Sequence, residues 1–407
     1  MLFQQEYEHM AEGVRPRIPL APVLSGASFR GAGQPCPRSV LDAGAARLVT
    51  SGRVAIALAL KEMGIGPGDA VLVPAYHSAS MIPPLLWRGA APVFYRVNFD
   101  TSVDLADIAS KLTGATKVLM VTNYFGFPQD LAAIRAFCDE RGLLMLEDCA
   151  HCFFGEHQGR PVGAFGHYAI ASTMKFFPIY EGGCLVSAHH TLAAVALRSA
   201  GAGFEAKAAL AALENGFAYG RLGVLHALLR LPLMLQQAVW KRVKARRTGA
   251  TPALAPSSSD SSFSLDPHWI DKRCSLFSRW MLKLVPARRI VALRRKNYAA
   301  LQAALDGLPG VRPLFAMLPD GACPWQFPLL ADEPEALFAR LYAAGVPMVR
   351  FGETLWPGVD ASVCANSVAL GRRVLAFPCH QELRADELAW MIGEITGALR
   401  TRQARAA

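Results

Sequence analysis

The 407-residue chain has no run of 18 uncharged apolar residues, so no segment is built to cross a bilayer as a lone helix. Its opening, MLFQQEYEHM, lacks the basic start and apolar middle of a secretory leader, and its nine cysteines fall at irregular spacing. Together these predict a reducing cytosol. Gly-rich nucleotide fingerprints are missing, and no Ser/His/Asp set stands in a convincing context. Cys149-Ala150-His151-Cys152 has no distant second pair to complete a zinc site, so no metal is expected. Carboxylates are scarce over residues 221–296, which hold 16 Lys/Arg against Asp260, Asp266 and Asp271 alone. The whole chain carries +10, which leaves the remainder near −3. The basicity belongs to one insert rather than to the fold, which argues against nucleic acid as a partner.

What is present is apolar. With 52% hydrophobic and 18% charged residues the chain can bury a large core, most simply in two domains. Ser51 reads as the N-cap of an apolar helix ending near Gly64. Apolar runs at 70–74, 91–97, 117–123 and 143–147 read as strands, alternating with helices at 78–88, 104–112 and 128–141. That alternation predicts an α/β fold, a mainly parallel sheet flanked by helices. The expected organisation is an N-terminal arm over the main domain (1–45), a large domain (46–200), a basic helical insert (201–300) with a flexible loop at 248–262, and a small C-terminal α+β domain (301–407). Ligands of such sheets sit beyond the carboxyl ends of the strands, where His77, Asn123 and Asp148 fall.

One stretch, 143–187, concentrates the chemistry. It places Glu147-Asp148 at the end of an apolar run, Lys175 inside a second one, and Glu181-Gly182-Gly183 just beyond. Ionisable groups at the ends of buried strands are costly unless they have a function. A lysine and a carboxylate 27 residues apart suit Schiff-base chemistry, the carboxylate pairing with a pyridinium nitrogen. Apolar flanks favour the neutral, nucleophilic amine of Lys175. The helix start at Gly52, Arg53 and Val54 offers backbone N–H groups to a phosphate.

These phrases resemble, in order, those of the DegT/StrS-type sugar aminotransferases, pyridoxal-phosphate enzymes of fold type I. The matching phrases are Ser51-Gly52-Arg53, GIGPGDAVLVP at 64–74, EDCAH at 147–151, GRPVGAFGH at 159–167, and Lys175 with Glu181-Gly182-Gly183. The resemblance covers about 45–190 well and the last hundred residues loosely. It implies pyridoxal 5'-phosphate as cofactor, Lys175 as the catalytic residue, Asp148 on the ring nitrogen and His151 on the ring oxygen. Ser172 would join Gly52, Arg53 and Val54 at the phosphate; Arg53 stands where the family has Thr, and Ile170 where one branch has its serine. The ring-stacking aromatic, four residues after Pro74 in the family, is here Ser78, leaving Tyr76 or His77, with His77 nearer in register. Family members that dehydrate sugars carry His at the lysine position. The implied activity is therefore transfer of an amino group from an amino acid, glutamate, to a nucleotide-linked keto-sugar for surface glycans, in a homodimer. The partner-subunit Asn-Tyr-Arg phrase of the family is not visible.

The segment 221–247 is apolar, carries Trp240 and ends in five basic residues of seven. That composition suits either an in-plane helix touching an anionic inner-membrane face from the cytoplasm or a helix pair packing on protein, with Pro232 as a kink. Two other readings stay open: a regulatory or catalytically altered relative, and a membrane-associated scaffold of a glycan-assembly complex.

Overall fold

The computed structural model describes residues 15–31, 37–229 and 263–406. The loop expected at 248–262 and residues 230–247 of the basic segment lie outside these. The large-domain strands are β1 (Ala45–Val49), β2 (Ala70–Pro74), β3 (Ala91–Tyr95), β4 (Thr116–Thr122) and β5 (Leu144–Asp148). After a small hairpin, β6 (Glu156–His157) and β7 (Arg160–Pro161), come β8 (Tyr168–Ala171) and β9 (Gly183–Ser187). They form a seven-stranded sheet in the order β1-β9-β8-β5-β4-β2-β3. The pairs from β8 through β3 are parallel; β9 runs antiparallel to both its neighbours.

Helices α1 (Gly52–Glu62), α2 (Ile82–Trp87), α3 (Leu105–Ser110) and α4 (Leu131–Arg141) alternate with the strands. Their starts are chemically specified: Ser51 Oγ accepts from Val54 N at 3.3 Å, and Asp104 from Asp107 N at 2.9 Å. Gly142 closes α4 at a φ of 64°, which a side chain would strain. Helix α1 is apolar on nearly every side because Val54, Ile56, Leu58 and Leu60 pack with Val71, Val73, Leu146 and Ile170 in one buried cluster.

The insert contributes α5 (Ala202–Ala218) and α6 (Leu276–Leu284), packed on each other. Helix α7 (Ala287–Leu305), assigned to the insert from sequence, packs on the small sheet. That sheet pairs β10 (Val311–Pro313), β11 (Gln326–Ala331) and β12 (Val374–Pro378) antiparallel, with α8 (Pro334–Ala344), α9 (Ala361–Arg373) and α10 (Ala385–Ala406) around it. One apolar cluster runs from Leu72 and Leu119 through Phe125 to Phe327, Phe377 and Ile395, so the two sheets share a core. The N-terminal arm spans both parts. On the large domain, Arg38 N donates to Glu156 Oε1 at 3.0 Å and Val40 N to the Phe153 carbonyl at 2.8 Å. On the C-terminal part, Ser25 and Ser28 donate to Glu382 at 2.6 and 3.1 Å, and the Pro19 carbonyl meets His380 Nε2 at 2.8 Å.

Candidate active site

Sheet register assembles the site. Thr122 pairs with Asp148 across β4 and β5, and Asp148 with Ile170 across β5 and β8. The chain then turns through Ser172 into a short 3-10 turn ending at Lys175. Because β9 runs backwards, its first residue, Gly183, reaches the same edge, opposite Val49 and next to the start of α1. Gly183 is required there: a Cβ would lie 2.5 Å from the Ser51 carbonyl carbon and 2.7 Å from Gly52 N. Gly182, at φ 139°, donates its N–H to Thr50 O and accepts from Thr173 N. The diglycine thus fixes the lysine turn against the helix start.

Asp148 is buried. Ala150 N donates to Oδ1 at 2.9 Å, and Thr122 Oγ1 gives only a 3.4 Å contact to Oδ2. Burial raises its pKa, opposed by the Ala150 N–H and by the charge of Lys175. Lys175 keeps part of its surface open, yet desolvation pulls its pKa down to about 8 against the pull of Asp148. His151 is buried; Nδ1 has no partner, and desolvation first, then the charge of Lys175, hold the ring neutral. Glu147 has a different task. It accepts from Gly163 N at 2.7 Å, Gly166 N at 3.3 Å and Asn123 Nδ2 at 3.2 Å, tying the 159–167 loop beneath the site. Asn123, which also accepts from Gln129 N at 2.9 Å, is held in that same knot.

The phosphate end is built from backbone. The Val54 N–H is taken by its own cap, so the candidate donor set narrows toward the first amides of the helix. The Arg53 guanidinium donates to the Ser264 carbonyl, away from the helix start. Ser172 is buried at the turn, and the Ile170 side chain points to Gly52, a Cβ there meeting its Cδ1 at 4.0 Å. His77 is engaged elsewhere. Its Nδ1 lies 2.9 Å from the Ala75 carbonyl, Nε2 accepts from Trp356 N at 3.1 Å, its ring lies on Phe94, and burial pulls its pKa down to about 4. Tyr76 stacks on Tyr124 with a buried, unpartnered hydroxyl.

Two residues escaped the sequence reading. The Trp325 ring lies 4.6 Å from Lys175 Nζ and stacks on His151 with centroids 3.8 Å apart. Arg294, wholly buried, donates to the carbonyls of Lys175 (2.7 Å), Trp325 (3.0 Å) and Pro324 (3.1 Å) and to Gln381 Oε1 (2.9 Å). Gln381 in turn donates to the Phe176 carbonyl at 2.7 Å. The basic run Arg294-Arg295-Lys296 in a helical stretch was the sole sequence signal for Arg294, and Trp325 had none.

A neutralisable amine, a buried carboxylate with one loosely engaged oxygen, an orphan imidazole nitrogen and a helix start converge on one edge. They define an α/β domain built to hold a phosphorylated heteroaromatic ring. The chain belongs to the DegT/DnrJ/EryC1/StrS aminotransferase family, whose model matches residues 39–248. The family's cofactor is pyridoxal 5'-phosphate, and the residues present fit it. GDP-perosamine synthase of Escherichia coli O157:H7 is 35% identical over 153 residues, 36% of this chain and 41% of that one. The dTDP-4-dehydro-2,3,6-trideoxy-D-glucose 4-aminotransferase of Saccharopolyspora spinosa is 34% identical over 160 residues, 39% of this chain and 42% of that one. The chain thus spans about two fifths of the length of these curated relatives. The aminotransferase of Psychrobacter cryohalolentis shares the fold, with a TM-score of 0.61 at 19% identity over 88% of this chain and 87% of that one. So does TlmJ of Streptoalloteichus hindustanus, with 0.59 at 21% over 88% and 86%. Among the described residues no cluster of His, Cys, Asp or Glu is placed to hold a metal ion, and no helix is long and apolar enough to cross a membrane.

Proposed function

We propose that the protein is an aminotransferase that moves an amino group from an amino acid, glutamate, to a nucleotide-linked keto-sugar used for surface glycans. The observation that carries this is the gathering of Lys175, Asp148 and His151 at one sheet edge beside the helix start, Trp325 lying 4.6 Å from the amine and stacked on His151. When bound, pyridoxal 5'-phosphate would supply an aldehyde carbon that takes up the amino group and an electron-withdrawing ring that stabilises the charge developed beside it. Asp148, with Oδ2 only loosely engaged, would hold the ring nitrogen protonated, and His151, with Nδ1 unpartnered, would meet the ring oxygen. The Lys175 amine, neutral in a useful fraction near neutral pH, is the nucleophile and afterwards moves a proton at Nζ. The amides of Gly52 and Arg53, with the Ser172 hydroxyl, receive the phosphate, joined by Val54 only if Ser51 releases its N–H. His77 backs the pocket wall through Phe94, and Trp325 closes it above the amine. The sugar acceptor is supported by the relatives, several of which are named for amination of sugars carried on GDP, UDP or dTDP. The molecule acts as a homodimer in the cytoplasm, peripheral at the inner membrane face through 221–247.

The test is spectroscopic. Protein loaded with pyridoxal 5'-phosphate absorbs at roughly 330–430 nm. Glutamate shifts this band, and keto-sugar nucleotides, screened one at a time, restore it. A second reading, a relative that binds the cofactor without turnover, is favoured by the Arg53 guanidinium turned to Ser264 and by Ile170 beside the helix start. A band that no amino donor shifts would establish that second reading instead.

A further inference from the structure

Helix α6 is anchored from below. Glu181 Oε1 accepts from Ser275 N (3.0 Å), Ser275 Oγ (2.9 Å) and Ser278 Oγ (2.6 Å), and Met281 is buried. Its outer face carries Leu276, Trp280 and Leu284 at four-residue spacing, 43%, 58% and 58% exposed. Exposed on the same stretch are Arg273, Lys283 and Arg288, and residues 272–296 contain no carboxylate. After α5, which packs on α6, residues 223–228 are all exposed, Val224 at 79% and Leu228 at 73%. Three large apolar side chains set among cations, with a tryptophan central, form an amphipathic surface of net positive charge, its neighbouring Glu205 carboxylate spent on Leu276 N.

We propose that the exposed face of α6 docks in plane on an anionic lipid bilayer. The leucines and Trp280 enter the headgroup boundary while Arg273, Lys283 and Arg288 meet lipid phosphates. Charge decides between occupants. A second copy joined through this face would set a net-positive surface against itself, since the nearest carboxylates are already engaged, Glu205 with Leu276 N at 2.7 Å and Asp271 with Arg198 and Lys272. Residues 230–262 of the chain carry Arg230, Lys241, Arg242, Lys244, Arg246 and Arg247 against Asp260 alone, a further net positive charge in the sequence. Anionic lipid supplies the missing sign and an apolar interior together. The inference rests on the membrane-peripheral reading of 221–247 and extends it to a structured helix; no step of amino transfer depends on it.

The experiment is co-sedimentation of the full chain with phosphatidylglycerol vesicles and with neutral phosphatidylcholine vesicles. Binding is expected to the first alone. Arg273→Gln/Lys283→Gln/Arg288→Gln lowers partitioning about a hundredfold, at roughly fivefold per cation. Trp280→Ser/Leu284→Ser lowers it about tenfold or more. Thermal unfolding of each variant confirms that the fold is kept, since the replaced side chains are exposed. Binding that survives both α6 variants but vanishes when 241–247 are neutralised overturns the α6 proposal and keeps the membrane reading. Absence of binding to any vesicle overturns both. Variants that lower the lipid-free mass by sedimentation assign the face to a second copy and also overturn the proposal.

Discussion

At the scale of residues, the two opposite charges were legible because each is expensive where it stands. An amine in the apolar run around Lys175 and a carboxylate ending a buried strand announce themselves by cost alone. Lys175→Ala is expected to abolish borohydride trapping of the cofactor and to lower turnover by about 10²–10⁴-fold. Asp148→Asn removes a charge-assisted hydrogen bond, costing about 1.5–3 kcal/mol, read as a ten- to hundredfold weaker hold on the cofactor and a displaced absorbance band. Because burial pulls the Lys175 amine down to about 8, its neutral fraction climbs tenfold per pH unit below that value and levels above it. The rate of cofactor capture by stripped protein, followed by absorbance, is expected to trace that curve. Trp325 and Arg294 were not legible, because their meaning depends on distance in sequence. The carbonyl that Arg294 reaches at Lys175 lies 119 residues away.

At the scale of elements, strand and helix alternation from 52 to 148 could be read because the strands are short apolar runs, β2 buried throughout, and the helices at 52, 105 and 131 begin at Ser51, Asp104 and Asp130 caps. The reversal of β9 could not. Gly-Cys-Leu-Val-Ser is as apolar as its parallel neighbours, and direction leaves no mark on composition. The reversal makes Gly183 a contact point, so Gly183→Ala is expected to destabilise the protein by about 1–3 kcal/mol and to weaken cofactor binding, measured by melting with and without the cofactor. Beside it, Glu181 is held up to about 7, first by burial, with Oε2 unpartnered. A raised carboxyl keeps its proton in the folded state where the unfolded chain has lost it. Stability therefore falls as pH rises from about 4.5 to 7, by at most 1.4 kcal/mol per unit. Glu181→Gln is expected to flatten that slope in melts across the range.

At the scale of the whole molecule, the two-sheet plan followed from length and apolar content, whereas the docking of the arm on Glu382 did not, since serines at 25 and 28 look like any loop. Arg294 is one buried polar joint between the two parts, beside the shared apolar core. Arg294→Met would leave the carbonyls of Lys175, Pro324 and Trp325 without their donor, at about 1–3 kcal/mol for each one left dry. The expected result is a lowered melting temperature in a single transition, since the sheets share a core, observed by calorimetry.

That joint also bears on how the molecule moves. The turn that carries the reacting amine, the tryptophan beside it and the strand that follows are tied through one guanidinium, so they are expected to move together. A bulky acceptor is then expected to enter without a hinge opening between the halves. Motions of a few side chains displace little solvent. Turnover is accordingly expected to be nearly indifferent to added sucrose or glycerol, whereas an enzyme gated by domain closure would slow in proportion to viscosity.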